Sequence, residues 1–253
     1  MKLKLQITLL TVLAVFMSCS EDSATDEFNQ ANQNASVKLI TNLSVVSAQD
    51  ASENQSVTIN YNGNNQVANI TDGVETSFLV YDNDNLTNVT GEGETLNVEE
   101  LYQSPYDAFE TGEVLQYDSN MNPVSIRFLE EEFDFFNNTM NVVEYYAEIE
   151  YDATPNPFFY TLEAAGIIDV LDNVDLNFSM DVQAPEIVQA RLLLPTNNIK
   201  KITYKDEDLT PIYQIVANYV YDAQNYPSTG TVTSTDLGDD SVSVYTTTFT
   251  YME

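Results

Sequence analysis

The chain has 253 residues with 40 acidic side chains against 8 basic ones, a net charge of −32, and contains no His, no Trp and a single Cys. That balance repels nucleic acid and anionic headgroups, and a lone cysteine rules out a disulfide within the chain. Without His there is no Ser-His-Asp triad and no imidazole-bound metal, and no Gly-rich loop ahead of a Lys supports nucleotide binding.

Residues 1–18 read as a signal segment. Lys2 and Lys4 are followed by an apolar stretch from Leu5 to Phe16, too short for a membrane span, which needs about 20 residues. Phe16-Met17-Ser18-Cys19 closes it. This ending resembles the lipobox of bacterial lipoproteins: Ser18 and Cys19 match, while Phe16 and Met17 depart from the commonest form. The resemblance implies that Cys19 becomes the lipid-bearing N-terminus after cleavage. Two or more acyl chains there give stable anchoring.

Ser20-Glu21-Asp22 looks like the short acidic export signal of Bacteroidetes lipoproteins, which implies the outer membrane and its cell-surface leaflet. Residues 19–36 are polar and acidic, so they are expected to form a flexible tether, reaching on the order of 20–25 Å as a coil. Asp22-Ser23-Ala24 resembles an O-glycosylation acceptor of the same phylum, which makes Ser23 a candidate modification site. Asp240-Ser241-Val242 matches that pattern too.

From residue 37 to 253 the dominant period is two. Val57, Ile59 and Tyr61 share one face of a run, as do Ile202 and Tyr204, then Val242 and Val244, then Phe249 and Tyr251. Such alternation means half-buried strands with one wet face. Turn clusters separate the runs and open alike: at Tyr61-Asn62, Tyr81-Asp82, Tyr117-Asp118, Tyr151-Asp152, Tyr204-Lys205-Asp206 and Tyr221-Asp222. An Asx side chain after a strand-ending Tyr hydrogen-bonds the backbone ahead and starts a turn, so each copy is expected to be a β-hairpin. Unequal spacing argues against a solenoid.

The expected fold is therefore all-β, an antiparallel meander of twisted hairpins, open or sandwich-like, with one or two short helical turns. One candidate helix starts at Val98 and stops before Pro105. Another stretch, Phe159 to Leu171, reads as a loop with a helical turn over the sheet edge, weakened as a helix by Gly166. The segments YDSNMNPVSIRF, YDATPNPFF and YVYDAQNYPS are similar to a group of Bacteroidetes lipoproteins of unknown function with degenerate YD-type hairpin repeats. That family supplies no catalytic or ligand residues.

Carboxylate chemistry remains. Glycoside hydrolysis needs two suitably spaced acids, but with 40 acids such pairs arise by chance. Glu130-Glu131-Glu132, beside Phe128, Phe133, Phe135 and Phe136, reads as a solvated acidic edge. Calcium, with its six to eight oxygen ligands, is the better candidate cofactor. Asp82, Asp84 and Asn85 lie in one turn with alternating oxygens. Asp206 with Asp208, and Asp236 with Asp239 and Asp240, are weaker versions of the same arrangement. Thr87 stands where an EF-hand demands Gly. Turns without an ion explain all three groups as well.

These observations converge on a lipid-anchored envelope protein with a non-enzymatic structural or binding role. Its partners would be the membrane through the anchor and a glycan or envelope protein, with neither nucleic acid nor nucleotide. A calcium-stabilised adhesion module and a carboxylate-dependent glycoside hydrolase are the alternatives.

Overall fold

The computed structural model describes residues 23–33, 35–98, 112–134, 137–177 and 187–252. The anchor residue Cys19, the Ser20-Glu21-Asp22 signal and most of the helix expected from Val98 lie outside them.

The described residues form one thirteen-stranded antiparallel sheet. Its first six strands are β1 Ile40–Ser47, β2 Gln55–Tyr61, β3 Val67–Thr71, β4 Thr76–Asp82, β5 Asn85–Gly91 and β6 Glu94–Asn97. Next come β7 Glu113–Tyr117, β8 Pro123–Asp134 and β9 Thr139–Pro155. After a small two-stranded sheet, β10 Asp175–Asn177 with β11 Ile187–Gln189, the large sheet resumes with β12 Asn197–Lys205, β13 Pro211–Tyr221, β14 Pro227–Asp236 and β15 Val242–Tyr251. The spatial order is β6-β5-β4-β3-β2-β1-β15-β14-β13-β12-β9-β8-β7. The terminal strands β1 and β15 therefore pair in the middle, and β6 and β7, consecutive along the chain, are the two edges.

In a flat sheet that connectivity would put the β6–β7 connection at full stretch. Thirteen flat strands about 4.8 Å apart would set the edges about 58 Å from each other. The chain from Asn97 to Glu113 spans at most about 53–58 Å even fully extended, and open sheets beyond about ten strands curl or split in any case. The sheet is an antiparallel meander, as the hairpin pattern predicts, and of the two arrangements expected it is the open one.

Register sorts the side chains onto two unlike faces. On the inner face Leu43 sits opposite both Val57 and Phe249, Ile59 opposite Ile70, and Leu79 opposite Val89. Across the other half the same face carries Val232 with Ala217, Ile215 with Ile202, Ile202 with Ile149, and Ala147 with Ile126. The outer face carries Thr58 with Thr71, Thr231 with Thr246, and Thr229 with Thr248, together with the exposed Val46, Phe78, Val80 and Val220. The ion pairs Lys201–Glu150 and Lys205–Glu148 lie there too, at 3.1 and 2.5 Å. Water wets the Thr face, and the apolar face turns inward.

Three helices close one end of this curl, called the near end below: α1 Ala24–Asn32, α2 Phe159–Ala164 and α3 Ile167–Asn173. Gly166 separates α2 from α3 in a left-handed conformation, φ +75, and a Cβ there would stand 3.0 Å from that of Leu86. A single helical turn over the sheet edge is thus replaced by two helices, broken where only glycine fits.

The largest correction concerns the tether. Residues 19–36 were expected to be flexible, but from Ser23 onward they are not. Ser23 caps α1: its hydroxyl accepts from the Asp26 N–H, and Asp26 reaches back in a capping box. Phe28 is fully buried and stacks on Phe159 with ring centroids 3.8 Å apart. The Ala24 N–H donates to Asp172 at 2.9 Å, Thr25 to Glu163 at 3.2 Å, and the Asn32 amide to the Thr196 carbonyl at 2.9 Å. Composition suggested disorder, yet one aromatic ring, a cap and a few distant polar partners are enough to fold nine residues against a preformed end.

Candidate functional site

The YD turns are built alike at the level of single hydrogen bonds. Asn62 Oδ1 accepts from the N–H groups of Asn64 and Gln66 at 2.9 and 3.0 Å. Asp118 does the same with Asn120 and Asn122, Asp206 with Asp208 and Thr210, and Asp222 with Gln224 and Tyr226. The fourth residue of each loop is left-handed: Asn65, Met121, Leu209 and Asn225 have φ between 61 and 65. The copy at Tyr81 differs, being a two-residue turn through Asn83 and Asp84, φ 50 and 68. The copy at Tyr151 is no hairpin. There Asp152 accepts from the Thr154 N–H, and the chain runs on through β9 into α2.

Five of the six copies lie at the near end; only the Tyr204 copy is at the far end. The strand-ending tyrosines act as latches. Tyr61 donates its hydroxyl to the Ile40 carbonyl, Tyr81 to Val67 and Tyr151 to Pro123, each at 2.7 Å, and Tyr251 to Pro227 at 2.8 Å. In every case the acceptor is the first residue of the adjacent antiparallel strand. Burial raises the pKa of each of these phenols, that of Tyr81 to about 12.

Above the latches the near end is a packed plug. Phe28, Phe159, Tyr160, Ile168 and Tyr226 form its core, with Tyr61 and Tyr251 against it. A polar knot, which periodicity could not reveal, fastens it. Asn122 is fully buried. Its Oδ1 accepts from the N–H groups of Thr196 and Asn197 at 2.7 and 3.0 Å, while its amide donates to Asp118 Oδ2 at 3.0 Å and to Asn197 Oδ1 at 2.9 Å. Arg191, nearly buried, faces Glu27 at 3.8 Å and Asp172 at 4.0 Å and so joins α1 to α3. The one hint in the sequence was the density of Asn at 120–122 and 197–198.

Beside the plug a cleft of about 570 Å³ opens between α3 and strands β5 and β6, lined by Leu86, Thr87, Asn97, Asp169, Val170 and Val174 among others. Its size falls within the range of ligand pockets. Its lining mixes Leu86, Val170 and Val174 with the polar Asn85, Asn97, Asp169 and Asn173. Carboxylate chemistry there is thin. Burial raises the pKa of the Glu163 carboxyl, with Thr25 opposing and Asp169 adding to the rise.

The side chains expected to hold calcium have other partners. Asp82 accepts from the Asn83 amide at 3.1 Å, Asp84 from the Gln66 amide at 3.3 Å, and Asn85 donates to the Asn83 carbonyl at 3.5 Å. Asp206, Asp236 and Asp239 each accept backbone N–H groups of their own turns. Among the described residues no three His, Cys, Asp or Glu side chains come together around a common point. Ser23 is the cap of α1, and its hydroxyl also donates to Asp26 Oδ2 at 3.0 Å. A glycan on it would remove that donation. Glu130 is exposed on β8.

No protein-family profile and no curated protein matches the chain. Among solved structures it is similar to a porin-like protein from Bacteroides uniformis, with 10% identity and a TM-score of 0.37 over 84% of this chain and 98% of that one. A porin-like protein from Bacteroides vulgatus gives 11% identity and a TM-score of 0.34, covering 85% and 99%. A LolA superfamily protein from Nitrosomonas europaea gives 9% and 0.26, covering 90% and 92%. Likeness at this level is too slight to carry a conclusion about family or activity.

Proposed function

We propose that the chain is a lipid-anchored envelope protein of the outer membrane with a non-enzymatic binding role, and that its ligand is apolar and held on the inner face of the curled sheet. One observation carries this reading: the register gathers Leu43, Ile59, Ile70, Leu79, Ile202 and Ile215 on one face, and among the described residues the helices cover only one end of it. These side chains are half-buried, and an apolar ligand would recover free energy by covering the part that water still reaches. The cleft beside α3 offers a mouth of suitable volume.

The anchor half of the reading rests on Cys19 and is checked by intact mass of the protein from its native host. Acyl chains on Cys19 and loss of residues 1–18 are expected; a bare thiol overturns it. The binding half is checked with Nile red, a neutral apolar dye, titrated into the chain lacking residues 1–18 and carrying Cys19→Ser. Saturable binding is expected. It should be lost in Ile215→Glu, on the inner face, and kept in Thr231→Glu, on the outer face. Equal effects of the two substitutions would sink the assignment.

A further inference from the structure

We infer that the protein does not swing on its anchor but sits with its helix-capped near end against the bilayer and its far turns pointing away. This rests on the proposed acylation of Cys19 and goes beyond it, because an anchor alone sets no orientation.

The first argument is length. The described residues begin at Ser23, the cap of α1. Only Ser20, Glu21 and Asp22 separate that cap from Cys19, a span of at most about 14 Å. The helix itself is held by Phe28 in the core and by bonds from Ala24, Thr25 and Asn32 to distant segments. The point of attachment is therefore part of the plug. The far turns lie beyond strands such as β4 and β13, of 7 and 11 residues, roughly 23–36 Å away at the rise of a strand.

The second argument is charge, and it is independent of the first. The far turns 48–54, 72–75, 92–93, 206–210 and 237–241 hold ten acidic residues and no basic one. The near turns 62–66, 83–84, 118–122 and 222–226 hold three: Asp84, Asp118 and Asp222. The helices, with Glu21 and Asp22 beside the anchor, raise the near total to ten, but Arg191 faces two of these acids and Lys38 pairs with Asp222 at 3.0 Å. A membrane surface with anionic headgroups therefore repels both ends, and only these two cations favour the near one.

The test uses the full lipoprotein from its native host, whose single cysteine is consumed as a thioether. Four variants add one thiol each in exposed turns: Asn64→Cys and Met121→Cys at the near end, Val74→Cys and Leu209→Cys at the far end. Each is labelled with bimane and reconstituted into phosphatidylcholine vesicles containing a headgroup-nitroxide lipid. The near labels are expected to lose most of their emission and the far labels none. Inserting twenty Gly/Ser residues between Asp22 and Ser23 should restore emission at the near sites. Acylated protein whose four labels behave alike overturns the seating and leaves the anchor standing. Protein found unacylated by mass overturns both.

Discussion

The two ends of the sheet use the same turn chemistry to different effect. At the near end Asp118 and Asp222, and at the far end Asp206, accept the same two backbone N–H groups over a left-handed fourth residue. The difference is the fifth residue. Asn122 and Tyr226 are fully buried beneath the helices, whereas Thr210 stands in water. Local hydrogen bonding makes the hairpin at either end. What the hairpin is worth to the whole molecule depends on whether its last residue has a core to enter.

Removing the plug's central ring should break this contrast most severely. Phe28→Ala deletes a fully buried ring stacked on Phe159 and is expected to cost about 3–5 kcal/mol, read from urea denaturation. Protease sensitivity around residues 24–32 should rise with it. A loss below about 1 kcal/mol, the scale of an exposed contact, would mean that α1 is an ornament on the sheet and that the near end owes little to it.

The matched pair Asp222→Ala and Asp206→Ala sharpens the comparison. Both lose two backbone hydrogen bonds, but Asp222 also loses Lys38, at 3.0 Å, and sits over the buried Tyr226. The expected costs are about 2–3 kcal/mol for Asp222 and about 1 kcal/mol or less for Asp206; equal costs would dissolve the distinction. Acid adds a second reading. Burial pushes the Asp222 carboxyl up, but the Tyr226 N–H, Lys38 and the Gln224 N–H together outweigh it, and the net shift is downward from 3.8. A lowered folded pKa stabilises above the unfolded value, and that stability is lost as pH falls through the folded one. Below about pH 4 the denaturation midpoint of the native chain should therefore fall more steeply than that of Asp222→Asn, which keeps the acceptor but not the charge.

Much of the sheet was legible because strands and Asx turns are local. Alternation at Val57-Ile59-Tyr61 and the Tyr-Asn/Asp openings report on neighbours a few residues away, and the hairpins followed. The near end was illegible for the opposite reason. Phe28 meets Phe159 across 131 positions, and Asn122 meets Thr196 across 74, contacts that no period encodes. The polar stretch around Phe28 therefore passed for a tether. Asp152 shows the limit of motif reading: it follows its Tyr like the others, yet its chain continues into a helix because Asn156 and Pro157 steer it there. The cleft between α3 and β5 belongs to the same non-local category.

The finest test within the plug compares two neighbouring tyrosines. The rings of Tyr226 and Tyr251 lie 5.9 Å apart, and burial raises both phenol pKa values. Tyr251 donates to the Pro227 carbonyl at 2.8 Å, whereas the buried Tyr226 hydroxyl has no hydrogen-bond partner among the described residues. Removing a satisfied hydroxyl strands its acceptor, so Tyr251→Phe should cost about 1 kcal/mol. Removing an unsatisfied one relieves a desolvated dipole, so Tyr226→Phe should be neutral or stabilising by up to about 1 kcal/mol. Thermal melting of the two variants side by side decides it. If Tyr226→Phe melts lower by as much as Tyr251→Phe, the hydroxyl has a partner, and the near end is held by one more polar tie than the geometry shows.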